Sequence, residues 1–218
     1  MNLRRALLEA VAERLLATPS PFVLRVAIDG VDGAGKTTFA DELAPLLAPS
    51  RAVIRASVDG FHHPREVRYR RGRTSPEGFY RDSYNYGALK RFLLDPLSPG
   101  GSGYYRTAVY DVEAERPVEV PEKLAAPGSV LLLDGIFLHR PELRDAWDVS
   151  VWLEVPFEVS VPRGAARGPG FGSPDPHAES NRRYIEGQRL YMSEAEPRRH
   201  ATMVVNNEDV NAPYVVAR

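Results

Sequence analysis

The chain contains no cysteine. That excludes thiol nucleophiles, thiolate-bound zinc, cysteine-ligated iron–sulfur clusters and any disulfide framework. Lysine is nearly missing as well: Lys36, Lys90 and Lys123 stand against 25 arginines. Two readings fit that imbalance: the codon bias of a GC-rich genome, or the handling of phosphate, whose oxygens match a guanidinium fork. Excess charge of either sign is also lacking. The formal net charge is −1 over 218 residues, which argues against a protein whose work is to coat nucleic acid. No apolar run approaches the ~18 residues of a membrane span. Arg4, Arg5, Glu9, Glu13 and Arg14 interrupt the leucines of residues 1–17, so that segment does not read as a signal peptide. These absences predict a cytoplasmic protein with no nucleic-acid or membrane partner; a homo-oligomer is compatible with them.

The length suits one domain able to bury its own core. Leu3, Leu7, Val11 and Leu15 recur every four residues, which predicts an amphipathic helix over residues 1–17. Short apolar runs then alternate with helical stretches. Strands are predicted at 22–28, 52–58, 130–133, 149–155 and 202–205. Helices are predicted at 36–47, with Pro45 ending or kinking it, at 84–94, from 157 with doubt beyond Pro162, and at 178–196. Such alternation implies an α/β fold, a mainly parallel five-stranded sheet covered on both faces in three layers. Three segments break the pattern: 62–81, 97–105 and 164–176. Long irregular stretches of this kind are lids, binding loops or tolerated insertions, and a lid is expected over about 160–180.

The strongest local signal is Gly30-Val-Asp32-Gly33-Ala34-Gly35-Lys36-Thr37, which satisfies G-x-x-x-x-G-K-[ST] between an apolar strand and a helix. Its glycines let backbone N–H groups turn inward around phosphates, and the helix that follows points its positive end at them. Lys36 is placed to reach the terminal phosphates and Thr37 to ligate Mg²⁺. Gly30, Asp32, Gly33, Ala34, Gly35, Lys36, Thr37 and Thr38 are therefore the candidate ATP contacts. Asp134 ends a buried strand, where open α/β sheets place their ligands, and is the candidate metal carboxylate. Asp59 ends another strand on the same rim, where a carboxylate can accept a proton from an attacking hydroxyl.

The run from Asp29 to Thr38, followed by Ser57-Val-Asp59-Gly-Phe61-His62, resembles the uridine kinase group of P-loop kinases, which includes pantothenate kinase and phosphoribulokinase relatives. Ser83 to Leu89, Tyr110-Asp111, Leu131 to Asp134, Arg182 to Tyr191, Asn206-Asn207 and Pro213 extend the similarity over nearly the whole chain. The resemblance implies that Asp59 is the catalytic base and also approaches the metal through water. It implies that Arg163 and Arg167 close over the transferred phosphoryl group. Phe61, His62, Tyr84, Arg106 and Tyr110 are then the candidate substrate contacts. The chain departs from the family in three places: Asp134 replaces a glutamate, Gly164-Ala-Ala166 replaces an Arg-Asp pair, and Val112-Glu-Ala-Glu115 replaces a nucleoside-contacting stretch. The activity implied is phosphoryl transfer from ATP to a nucleoside hydroxyl. Pantothenate, a sugar and nicotinamide riboside are the alternative acceptors, and a nucleotide-hydrolysing switch is the alternative from another class. Five arginines between Arg65 and Arg73 read either as a site for an anionic substrate or as a solvated mobile loop.

Overall fold

The computed structural model describes residues 2–20, 22–168 and 172–216. In chain order the helices and strands are α1 (Leu3–Ala17), β1 (Leu24–Gly30), α2 (Lys36–Leu47), β2 (Val53–Ser57), α3 (Arg65–Arg68), α4 (Pro76–Asp82), α5 (Tyr86–Leu89), β3 (Tyr104–Tyr105), β4 (Tyr110–Asp111), β5 (Arg116–Pro117), β6 (Lys123–Leu124), β7 (Val130–Gly135), β8 (Val149–Glu154), α6 (Phe157–Ala165), α7 (Glu179–Ala195), α8 (Pro197–His200), β9 (Met203–Asn206) and β10 (Tyr214–Val215).

The central sheet runs β10-β9-β8-β1-β7-β2. All neighbouring pairs are parallel except β10 with β9. Every residue of β7 is buried, as expected of a strand covered on both faces. The sheet thus has six strands where the sequence predicts five. The extra strand is two residues long, too short for any periodicity, and forms only because the turn after Asn206 brings Tyr214 back beside it.

The topology decides where function can sit. β1 lies between β7 and β8. The chain runs from it to β2 and β7 on one side, then crosses from β7 to β8 on the other, so the strand order reverses beside β1. A crevice opens at such a switch point, outside the carboxyl ends of the strands. Gly30, Ser57 and Gly135 mark those ends for β1, β2 and β7.

Asn2 caps α1 by accepting from Arg5 N at 3.1 Å, and Leu7, Leu8, Val11, Ala12 and Leu15 are buried. Leu3 is exposed, so the core-facing stripe begins one turn later than its spacing predicts. Pro45 does not end α2: the helix reaches Leu47, and Ala48 N bonds Ala44 O at 3.0 Å. Pro162 likewise lies inside α6.

The helix predicted over 84–94 divides. α5 covers four residues, and Lys90–Leu94 widens into a π turn closed by Asp95 N on Lys90 O at 2.9 Å. The polar stretch 62–81 contains α3 and most of α4 instead of one loop, with Ser75 capping α4 through Gly78 N at 3.0 Å. Residues 97–124 form two small antiparallel ribbons, β3 with β6 and β4 with β5. Of the expected lid segment, 160–165 belongs to α6, 179–180 starts α7, and 172–178 is irregular. Residues 169–171 of that segment lie outside the described residues.

Candidate active site

The phosphate loop leaves β1 at Gly30 and enters α2 at Lys36. Gly35 holds φ of 88° and Gly33 φ of 76°, a backbone region where side chains with a Cβ are strained. A Cβ on Gly33 would also stand 2.0 Å from the Ser160 carbonyl of α6, so the loop needs glycine there for space as well. Asn207, after β9, supports the loop from the side by donating to Ala34 O at 2.7 Å.

Beneath the loop, the fully buried Asp29 carboxylate accepts from Gly30 N at 2.7 Å, from His139 N at 3.2 Å and from the Tyr191 hydroxyl. His139 Nδ1 lies 2.7 Å from the same carboxylate. This network ties β1, α7 and the segment after β7 together at the root of the loop.

A cleft of about 310 Å³ opens at the rim. Asp32, Gly33, Lys36, Thr37, Asp59, Tyr84, Asp134 and Arg167 line it together with α6 and α7. The four groups that the sequence assigns to phosphate, metal and base therefore face one space. Lys36 Nζ donates to Val31 O at 2.9 Å, folded across its own loop. Thr37 Oγ1 donates to Asp134 Oδ2 at 2.7 Å. Arg55 of β2 donates to Asp134 Oδ1 at 2.9 Å. Thr37 and Asp134 carry oxygen ligands of the kind Mg²⁺ prefers, and together they would hold the ion beside the glycine-rich loop. Among the described residues no cluster of three or more His, Asp or Glu forms a metal cage. A nucleotide-borne Mg²⁺ needs only one or two protein oxygens, so the pair fits it.

Asp59 follows β2, and its carboxylate accepts the Tyr84 hydroxyl at 3.0 Å. Burial pushes the Tyr84 phenol well above its ordinary range, and Asp59 adds to that, so the hydroxyl stays a donor. His62 Nδ1 lies 2.9 Å from Asp59 O, and its ring stacks on Tyr84 at 4.5 Å. Burial lowers the His62 pKa, which keeps the imidazole neutral at pH 7. Asp32 reaches the open cleft, yet the protein around it desolvates its carboxyl and raises the pKa; Asp59 adds to this while Lys36 and Arg167 oppose it.

The remaining expected residues are dispersed. Arg167 lies past the end of α6 and lines the cleft, whereas Arg163 donates to the carbonyls of Asn207 at 3.2 Å and Glu208 at 2.8 Å. The two do not share a helix face, because α6 stops at Ala165. Phe61 is wholly buried in the core. Arg106 stacks over Phe92 and approaches Glu122 at 3.8 Å. Tyr110 donates to Glu115 Oε2 at 3.1 Å. Thr38 is exposed in the first turn of α2.

The arginine cluster faces solvent at Arg65, Arg70, Arg71 and Arg73, as the second reading expects, but it is held by packing and ion pairs. Arg65 lies 3.5 Å from Glu115, and Arg68 is bonded to the same carboxylate. Arg70 and Arg71 both bind Asp82, which is buried, the latter at 2.9 Å. Arg73 stacks over Tyr69. These side chains anchor α3 and α4 to their surroundings.

Several cleft residues escaped sequence reasoning. Gln188 Oε1 accepts Asp32 N at 2.6 Å. Asn181, Tyr184 and Ile185 line the same wall. The signal was present: 181, 184, 185 and 188 recur at helical spacing on α7. Arg55 occupies an alternate position of β2, between buried Ile54 and Ala56, and only the register with β7 shows that it meets Asp134.

No family model matches the chain. A pantothenate kinase of Corynebacterium diphtheriae is 30% identical over 145 residues, which is 63% of this chain. The match spans 46% of that relative, about half its length. A possible uridine kinase from Bacillus stearothermophilus superposes with a TM-score of 0.73 at 22% identity, covering 92% of this chain and 97% of its own. A candidate fructose transport system kinase from Silicibacter sp. TM1040 gives 0.67 at 25% identity, covering 88% and 95%. The chain has the fold shared by uridine kinase-like and pantothenate kinase-like P-loop kinases, the group its motifs resemble.

Proposed function

We propose that the protein is an ATP-dependent small-molecule kinase that transfers the γ-phosphoryl group to a substrate hydroxyl, with a nucleoside as the first acceptor to test. One observation carries this reading: Asp59 lines the same cleft as Lys36, Thr37 and Asp134. A base beside a phosphate loop serves phosphoryl transfer. Asp59 accepts the proton of the attacking hydroxyl. Tyr84 holds one of its oxygens and leaves the other for the substrate. Lys36 exchanges its bond with Val31 O for phosphate oxygens. Arg167 offsets charge on the group in transfer. Mg²⁺, held by Thr37 and Asp134, would neutralise phosphate charge and orient the chain of phosphates. ATP as co-substrate and the cysteine-free sequence fit a cytoplasmic location. The likeness to a pantothenate kinase makes pantothenate the second acceptor to test.

The test is Asp59→Asn, assayed by mass detection of phosphorylated product across nucleosides, pantothenate and sugars. Transfer should fall by about 10²–10⁴ while ATP still binds. Transfer near the wild-type rate would remove Asp59 as the base. ADP release that no acceptor stimulates would favour the nucleotide-hydrolysing switch.

A further inference from the structure

Asp32 occupies a variable position of the phosphate-binding pattern, so phosphate binding does not require a carboxylate there. Its N–H is also turned away from that task, since Gln188 accepts it at 2.6 Å. Its side chain faces the cleft together with Asp59, close enough that the two charges act on each other.

Apart from Lys36, Arg167 and Asp134, the residues lining the cleft around this pair are uncharged. Tyr84, Asn181, Tyr184 and Gln188 supply hydroxyl, amide and aromatic surface. Tyr184 is 43% exposed and lines the cleft, which offers aromatic surface to a sugar or base. Cations in the neighbouring segments serve other partners. Arg68 is bound by Glu115, and Arg70 and Arg71 by Asp82. Arg183 donates to the carbonyls of Arg73 and Arg68. Lys36 and Arg167, the cations lining the cleft itself, serve the nucleotide phosphates in the proposed transfer.

We propose that Asp32 and Asp59 form a two-carboxylate acceptor site that selects an uncharged polyhydroxy compound, a nucleoside or sugar, and rejects acceptors bearing a carboxylate or phosphate. The inference rests on the kinase reading above. The attacking hydroxyl gives its proton to Asp59, and its oxygen bonds the γ-phosphorus. The bond from that phosphorus to the bridging oxygen breaks, and ADP leaves with the electron pair. Asp32 accepts a hydrogen bond from a second hydroxyl of the same molecule and so contributes to holding the acceptor in the cleft. With Lys36 and Arg167 engaged by the nucleotide phosphates, an anionic acceptor would bring a further negative charge beside these two carboxylates.

The full chain with Mg-ATP is assayed against neutral acceptors (uridine, cytidine, ribose, fructose) and anionic ones (pantothenate, D-glycerate, ribose 5-phosphate), with products identified by mass. At least one neutral acceptor should exceed every anionic one by about 100-fold in kcat/KM, the discrimination expected when a charge is left unpaired. Equal or faster transfer to an anionic acceptor overturns the inference and leaves the kinase reading standing. ADP release with no transfer to any acceptor overturns the kinase reading and this inference with it. Asp32→Asn should raise the KM of the preferred acceptor about tenfold and change kcat less than about threefold, the pattern of a lost binding contact. Asp32→Ser repeats the measurement with a smaller side chain. An acceptor KM unchanged in both variants overturns the role of Asp32.

Discussion

The Thr37 hydroxyl donates a 2.7 Å hydrogen bond to Asp134, joining the first turn of α2 to the end of β7 across 97 positions of sequence. The second oxygen of Asp134 accepts from Arg55 at 2.9 Å. The carboxylate is thus fixed from both sides, with its Oδ2 turned toward the phosphate loop. In the proposed transfer, where Asp134 would help hold Mg²⁺, Arg55 would be the partner outside the coordination sphere that sets the carboxylate's direction.

Arg55→Met tests that arrangement. The Asp134 side chain is 3% exposed and that of Arg55 25%, so the lost bond is charge-assisted and largely shielded from water. The variant should lose about 2 kcal/mol of stability, read as a lower urea midpoint. Arg55 also pairs with Asp41, whose side chain is 61% exposed, and that contact should contribute little. Asp41→Asn should therefore leave the midpoint nearly unchanged.

Gly33→Ala should damage the phosphate loop more than its size suggests. The added Cβ would stand 2.0 Å from the Ser160 carbonyl, which is helix backbone and cannot rotate away. The φ of 76° adds strain of about 1–2 kcal/mol. ATP affinity, measured by calorimetry, should fall at least about tenfold as the loop and α6 are pushed apart. Gly72→Ala is the control: its φ is 99°, but nothing lies within 4 Å, so only the strain remains and ATP affinity should not change.

Stability should fall as the solution is acidified through the histidine range. Burial lowers the folded pKa of His62 below its ordinary 6.5, and burial lowers that of His63 in the same direction. As pH drops below about 6.5 the unfolded chain takes up protons that the folded sites refuse, which favours unfolding. The stabilisation is present above that pH and is lost down to the folded pKa values. Urea midpoints at pH 7.5 and 5.5 should differ less in His62→Asn than in the wild type. An equal difference would show that His62 does not carry the effect.

Much of the site was legible in the sequence because it is local. The phosphate loop is eight consecutive residues, and its strand–turn–helix setting can be read from hydrophobicity alone. Asp59 and Asp134 were legible because strand ends in a parallel sheet share one rim. The pairing of the arginine cluster was not legible because its acidic partners, Asp82 and Glu115, lie 11 to 50 residues away and only packing brings them close. Arg163 was misplaced for a related reason: a four-residue spacing implies a shared face only while the helix continues, and α6 ends between the two arginines.

The sequence by itself determined the alternation of buried strands with helices, and with it the parallel sheet and the glycine-rich strand–loop–helix that carries Lys36 and Thr37. Those follow from periodicity and from backbone preferences of single residues, which act over a few positions. Tertiary structure decided which carboxylates share the cleft, that Arg55 meets Asp134, that Gln188 takes the Asp32 amide, and that Arg65, Arg68, Arg70 and Arg71 are paired with Glu115 and Asp82. Those relations depend on strand register and on the docking of α7, and both are set by the burial of the whole core.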